Sequence, residues 1–134
     1  MWTHEASIET TAQPERVWRL FANVQGWKQW NSGIERIELL GPFAAGTEFL
    51  MQPPGSEPFT STLVEVTENK VFIDETIIDG TRVLVTHRLV PLPSGGTRIV
   101  YGTEITGPAA SEFGPMVTGD FDAVLAALKR LAEG

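Results

Sequence analysis

The sequence predicts an α+β protein in which a curved, seven-stranded antiparallel sheet wraps around a long C-terminal helix, with two short helices between the first and second strands. Three observations predict it. An alternating segment opens the chain ahead of two short stretches of helical spacing. Six strand-like segments then follow one another as far as residue 106, divided by turn residues. The chain closes on an apolar stripe of helical period.

The opening strand is Trp2 to Thr10, where Trp2, His4, Ala6 and Ile8 alternate with Thr3, Glu5, Ser7 and Glu9, the period of a half-buried strand. Pro14 suits the first turn of a helix, and Val17, Trp18, Leu20, Phe21 and Val24 give that helix its apolar side. Gly26 is expected to interrupt it. Trp27 to Asn31 reads as a second, very short helix, with Trp27 and Trp30 three residues apart on one face, ended by Gly33.

The six later strands fall at about 34–40, 46–52, 58–67, 71–78, 82–91 and 97–106. The breaks between them are Gly41-Pro42, Pro53-Pro54-Gly55, Glu68-Asn69, Asp79-Gly80 and Ser94-Gly95-Gly96. Asp79-Gly80 carries the most information, because a two-residue hairpin turn needs positive φ at both central positions. It sets Ile78 opposite Thr81 and thereby decides which side chains share a face. Phe72, Asp74, Thr76, Val83, Val85, His87 and Leu89 form the more apolar face and are placed inward; Glu75, Arg82, Thr86 and Arg88 point out. By the same alternation Ile99, Tyr101, Thr103 and Ile105 point in, while Arg98 and Glu104 point out, where they could pair with charges on a neighbouring strand.

The closing stripe is Val117, Phe121, Val124, Leu125, Leu128 and Leu131, with Asp120 and Asp122 near the positive end of the helix and Lys129 and Arg130 near the negative end. A helix is predicted from about 119 to 133. Upstream, Pro108, Gly114, Pro115 and Gly119 each weaken a helix, so residues 108–118 are expected as a separate or kinked piece forming the lip of a cavity, with Gly114 as a flexible point. A twisted sheet of seven strands curls, and one helix laid across its hollow leaves space.

Composition narrows the partners. The 134 residues fit a single domain, 1–134, with 42% apolar and 20% charged residues, an ordinary globular balance. Net charge is −7 and no stretch gathers Lys and Arg, so nucleic acid is not an expected partner. Without cysteine there is no disulfide, thiolate nucleophile or thiolate metal site, and two histidines, His4 and His87, make no recognisable metal-ligand set. No metal or other cofactor is expected. The first residues lack the basic segment and apolar core of an export signal, and no apolar run reaches the roughly 20 residues of a membrane span, so a cytoplasmic location is expected.

Taken together, the helix Pro14-Glu15-Arg16-Val17-Trp18, the segment Trp27-Lys28-Gln29-Trp30-Asn31-Ser32-Gly33-Ile34, the hairpins, Gly96-Thr97-Arg98-Ile99-Val100-Tyr101 and Ile105-Thr106-Gly107-Pro108 resemble the START-like, helix-grip superfamily. This superfamily is also called Bet v 1-like or SRPBCC, and within it the chain is similar to the polyketide cyclase/dehydrase group. The resemblance runs end to end. It implies a helix-grip fold and either a carrier of hydrophobic molecules or a cyclase or dehydratase of poly-β-ketones; it also admits a chaperone-activator type of interaction module, against which the charged outward residues of the sheet speak.

The candidate residues follow from the inward face. His87 titrates near neutrality in its free form and could serve as acid or base, or simply be a satisfied interior histidine. Tyr101 could donate to a ligand carbonyl or enolate, or anchor to backbone. Asp74, on the same face as His87, would have its ionisation changed by burial or by a charged neighbour, unless a one-residue slip turned it outward. No Ser or Thr is set beside a base, so any catalysis would be proton transfer by Tyr101, His87 and Asp74. For a binding cavity, the strand residues Phe49, Met51, Phe72, Val85, Ile99 and Thr103 and the helical residues Phe113, Met116 and Phe121 are the expected contacts for a hydrophobic small molecule. Trp18, Trp27 and Trp30 could stack on such a ligand or belong to the core, and His4 is expected at the rim or surface. Both monomer and homodimer are compatible with the sequence.

Overall fold

A computed structural model describes residues 1–134. Its sheet holds seven antiparallel strands in the order β1-β7-β6-β5-β4-β3-β2. These are β1 (Trp2–Thr10), β2 (Arg36–Leu39), β3 (Glu48–Gln52), β4 (Phe59–Thr67), β5 (Val71–Ile78), β6 (Thr81–Pro91) and β7 (Thr97–Thr106). Strands β2 to β7 form a simple meander, whereas β1 and β2, consecutive in sequence, lie on opposite edges. The chain must cross the sheet between them, a span of about 29 Å for six inter-strand spacings on a flat sheet. Helix α1 (Pro14–Ala22) and a 3₁₀ helix (Val24–Gln29) make that crossing.

The Asp79-Gly80 turn forms as the sequence predicts. Both residues have positive φ, 50° and 79°, and Ile78 pairs with Thr81. The register carries through β5, β6 and β7, pairing Phe72 with His87 and His87 with Tyr101. Side chains alternate accordingly: Phe72, Thr76, Val83, His87, Leu89, Ile99, Tyr101, Thr103 and Ile105 are buried, while Arg82 and Arg98 reach solvent and pair there with Glu75 and Glu9. One irregularity, a bulge between Leu63 and Glu65 in β4, leaves Val64 exposed.

The C-terminal helical region is bent. Helix α2 (Ala110–Thr118) and helix α3 (Phe121–Glu133) are separated at Gly119-Asp120. Pro115 sits within α2, and Thr118 closes that helix by donating its hydroxyl to the Gly114 carbonyl. Helix α3 buries Phe121, Val124, Leu125, Leu128 and Ala132. Ala132, not the expected Leu131, occupies the last inward position, and Leu131 stays on the edge. One further expectation changes. Gly26 does not divide the two short helices; the break falls at Asn23, and Gly26 lies inside the 3₁₀ helix. Gly114 is also a close packing contact: a Cβ there would fall inside the Trp2 indole, so its bare backbone is what lets α2 dock on β1.

The helices and the inner face of the sheet share one apolar core. Phe72 is its hub, with Trp27 stacked on it at 5.6 Å and Phe21 and Phe43 meeting it edge-on. The Trp27 indole N–H donates to the Phe21 carbonyl at 2.8 Å, tying the 3₁₀ helix to α1.

Candidate functional site

Beside this core the sheet and helices enclose a cavity of about 510 Å³. Its inner wall comes from β3 to β7, its roof from α2 and the α2–α3 junction, and Trp27, Trp30 and Ile34 complete the lining. Exposed residues at Pro54, Ser56, Ile78 and Met116 mark the mouth, between the β3–β4 turn, the end of β5 and α2.

The three polar candidates meet on this wall. His87 lies flat on Phe72, ring centroids 3.9 Å apart, and Tyr101 meets it edge-on at 4.7 Å. The Nδ1 of His87 lies 3.2 Å from the Phe72 carbonyl, which places the ring proton on Nδ1 as donor and leaves Nε2 as an acceptor. Asp74 approaches that Nε2 at 3.9 Å, too far for a hydrogen bond. Burial therefore dominates both groups: it raises the Asp74 carboxyl to about 7 and lowers His87 to about 3, the Phe72 carbonyl partly opposing the latter. Between about pH 3 and 7 the pair is uncharged, carboxylic acid beside neutral imidazole, rather than an ion pair.

Tyr101 is only 4% exposed, and its hydroxyl makes no hydrogen bond to any protein atom. Burial pushes this phenol well above its ordinary range, and Asp74 and Asp120 add to the effect by their negative charge. The Trp30 indole N–H is likewise buried without a protein partner. Ser61 and Thr76 satisfy each other by a 2.5 Å hydroxyl contact on the inner wall.

Of the expected apolar contacts, Phe49, Met51, Val85, Phe113 and Met116 do border the cavity, although Met116 is 74% exposed and belongs to its rim. Phe72, Ile99, Thr103 and Phe121 do not. Phe72 is shielded by the rings stacked on it, Ile99 is wholly buried in the core, the Thr103 hydroxyl is turned to the Leu84 carbonyl, and Phe121 stands behind Tyr101 at 5.5 Å. Trp27 and Trp30 serve both core and cavity, whereas Trp18 is core alone and His4 is exposed, stacked on Trp2. Sequence reasoning missed Asp120, which it read only as a partner of the helix dipole. Its side chain makes no capping hydrogen bond and instead reaches the cavity mouth close to Gly33; partial burial raises its carboxyl. The signal for it was its place in the bend between two helices, where a side chain is free to turn inward.

No three His, Asp or Glu side chains converge as a metal site would require. No helix is long and apolar enough to cross a membrane.

The architecture matches solved structures at low identity. A protein from Mesorhizobium loti aligns at 18% identity over 97% of this chain and 96% of its own, TM-score 0.78. One from Chromobacterium violaceum aligns at 20% identity over 100% and 99%, TM-score 0.72. Norcoclaurine synthase from Thalictrum flavum, in complex with dopamine and hydroxybenzaldehyde, aligns at 18% identity over 97% of this chain and 85% of its own, TM-score 0.73. Among curated proteins, no sequence matches significantly. The sequence of residues 1–133, which includes every strand and all three α-helices, matches a family model, and on that match the chain belongs to the polyketide cyclase / dehydrase and lipid transport family.

Proposed function

We propose that this protein binds a small hydrophobic or aromatic molecule in the cavity between the sheet and the C-terminal helices. The observation that carries the reading is Tyr101, a residue that borders the cavity and whose buried hydroxyl has no protein partner. An unpaired buried hydroxyl costs roughly 1–3 kcal/mol, a cost that a ligand atom hydrogen-bonded to it removes. The volume, about 510 Å³, falls in the range of small-molecule sites, and mostly apolar walls with few polar groups are their usual lining. The aromatic molecules held by norcoclaurine synthase agree in kind.

The test is a thermal-shift screen of aromatic and aliphatic molecules, followed by Tyr101→Phe. Without ligand the variant should melt at or above the wild-type temperature, since it loses only an unsatisfied group. For an oxygen- or nitrogen-bearing ligand its Kd should rise about fivefold, the equivalent of one ordinary hydrogen bond near 1 kcal/mol. Equal affinity in the two proteins sinks the role given to Tyr101.

A second reading has its own support. Asp74, with its carboxyl raised to about 7 beside the acceptor nitrogen of His87, is suited to proton transfer with a cyclising or dehydrating carbonyl substrate. The 3.9 Å gap and the absence of a hydrogen-bonded acid–base pair rank it behind binding. Turnover of a poly-β-ketone that Asp74→Asn abolishes would reverse the order.

A further inference from the structure

We infer that the cavity selects its ligand by charge: it takes aromatic molecules that carry a basic nitrogen, held as the ammonium ion by Asp74, Asp120 and Tyr101, and it turns carboxylates away. The inference rests on the binding reading above and names the class of molecule bound.

The distribution of charge around the cavity carries it. Asp74 from β5, Tyr101 from β7 and Asp120 from the α2–α3 bend all border the space, while none of the chain's ten Lys and Arg residues does. Cations paired in the fold lie on the outside, Arg98 with Glu9, Arg82 with Glu75 and Arg36 with Glu38. The remaining titratable group facing Asp74 is His87 on β6, which burial holds neutral, so it brings no positive charge. An anion entering this space meets two carboxyl groups and no counter-charge, whereas a cation meets groups that can pair with it.

The acids do not stand alone. The Tyr101 hydroxyl is 96% or more enclosed with its residue, unpartnered and on the same wall, and its lone pairs accept from an ammonium N–H. Trp27 and Trp30 supply aromatic rings to the lining, on which a cation is held more favourably than on an aliphatic wall. Asp120 sits at the mouth, so a cation meets one carboxylate on entry and the second at depth.

Ion pairing requires Asp74 to be ionised. Amine affinity should therefore rise about tenfold per pH unit up to neutrality and then level off until the amine itself loses its proton.

Three probes of one shape distinguish the outcomes: tryptamine, the neutral alcohol tryptophol and the carboxylate indole-3-acetate, titrated calorimetrically into the whole chain at pH 6, 7 and 8. At pH 8 tryptamine should bind at least about tenfold more tightly than tryptophol, with indole-3-acetate the weakest; by pH 6 the advantage of tryptamine should shrink to the share that Asp120 supplies. Asp74→Asn should remove that pH dependence and reduce the preference for tryptamine over tryptophol to the several-fold share that Asp120 supplies. Asp120→Asn, on the exposed rim where folding is not at stake, should weaken tryptamine several-fold and leave tryptophol unchanged. Tryptophol or indole-3-acetate binding as tightly as tryptamine at pH 8 overturns the charge selection and leaves hydrophobic binding standing. Failure of all three to bind overturns both.

Discussion

Asp74 and His87 are held 3.9 Å apart on neighbouring strands, and burial moves them in opposite directions. Asp74 keeps its proton in the folded state up to about 7, against 3.8 unfolded, so its contribution to stability is whole below about 4 and is lost as pH rises towards 7. His87 sheds its proton in the folded state down to about 3, against 6.5 unfolded, so its contribution is whole above 6.5 and is lost as pH falls. Between about pH 4 and 6.5 the two slopes oppose each other. Removing one exposes the other: the unfolding free energy of Asp74→Asn minus that of wild type should climb by up to about 1.4 kcal/mol per pH unit from pH 4 to 7, measured by urea denaturation at each pH. A flat difference means that Asp74 titrates as a solvated carboxyl. The facing of these residues was legible, because one hairpin turn fixed the register of β5 and β6 and alternation then placed Asp74, His87 and Tyr101 on the same side. Their separation was not, since a gap of one ångström between hydrogen bond and mere proximity depends on rotamers and strand twist that no sequence pattern encodes.

Helix α2 shows the limit of reading single residue types. Gly107-Pro108 ahead of it and Gly119 after it do mark its ends, as chain-breaking residues should. Gly114 between them has a second use: a Cβ there would meet the Trp2 indole of β1, so it is a contact made possible by a missing side chain. Composition cannot separate these two uses of glycine, because the partner is 112 positions away in the chain. Gly114→Ala should consequently lower stability by about 1–3 kcal/mol, the range for overfilling a packed site, and not merely alter the motion of α2. Trp2→Ala made in the same chain removes the obstruction, so the double variant should lose less than the sum of the two single variants in denaturant melts. Additive losses would place the cost of the alanine elsewhere than in that contact. The same reasoning explains why Gly26 misled: an isolated glycine does not break a tight 3₁₀ turn, and Asn23, whose ψ of 76° leaves the helical range, ends α1 instead.

At the scale of the whole molecule, the strand count and helix order were legible because each rests on local periodicity and turn chemistry. The cavity was expected only in outline. Its volume depends on how far β1 and β2, at opposite edges, curl toward the helices, and its lining departs from the expected set wherever aromatic rings stack on one another and close the gap, as at Phe72. An unfilled apolar wall lacks the dispersion contacts of a packed core, so a larger side chain at the right place can restore them. Val85 on β6 is such a place: it is half-buried, borders the cavity, and lies opposite Asp74 in the register. Val85→Phe should hold or raise the melting temperature of the unliganded protein while taking up space that a ligand needs. A ligand at about 100 times its Kd stabilises by about 2.7 kcal/mol, which for a chain of this size is a rise of roughly 10 °C. In Val85→Phe that rise should shrink to about 2 °C or less for the same ligand at the same concentration. A ligand-induced rise that is undiminished in a well-folded Val85→Phe places the bound molecule outside this cavity.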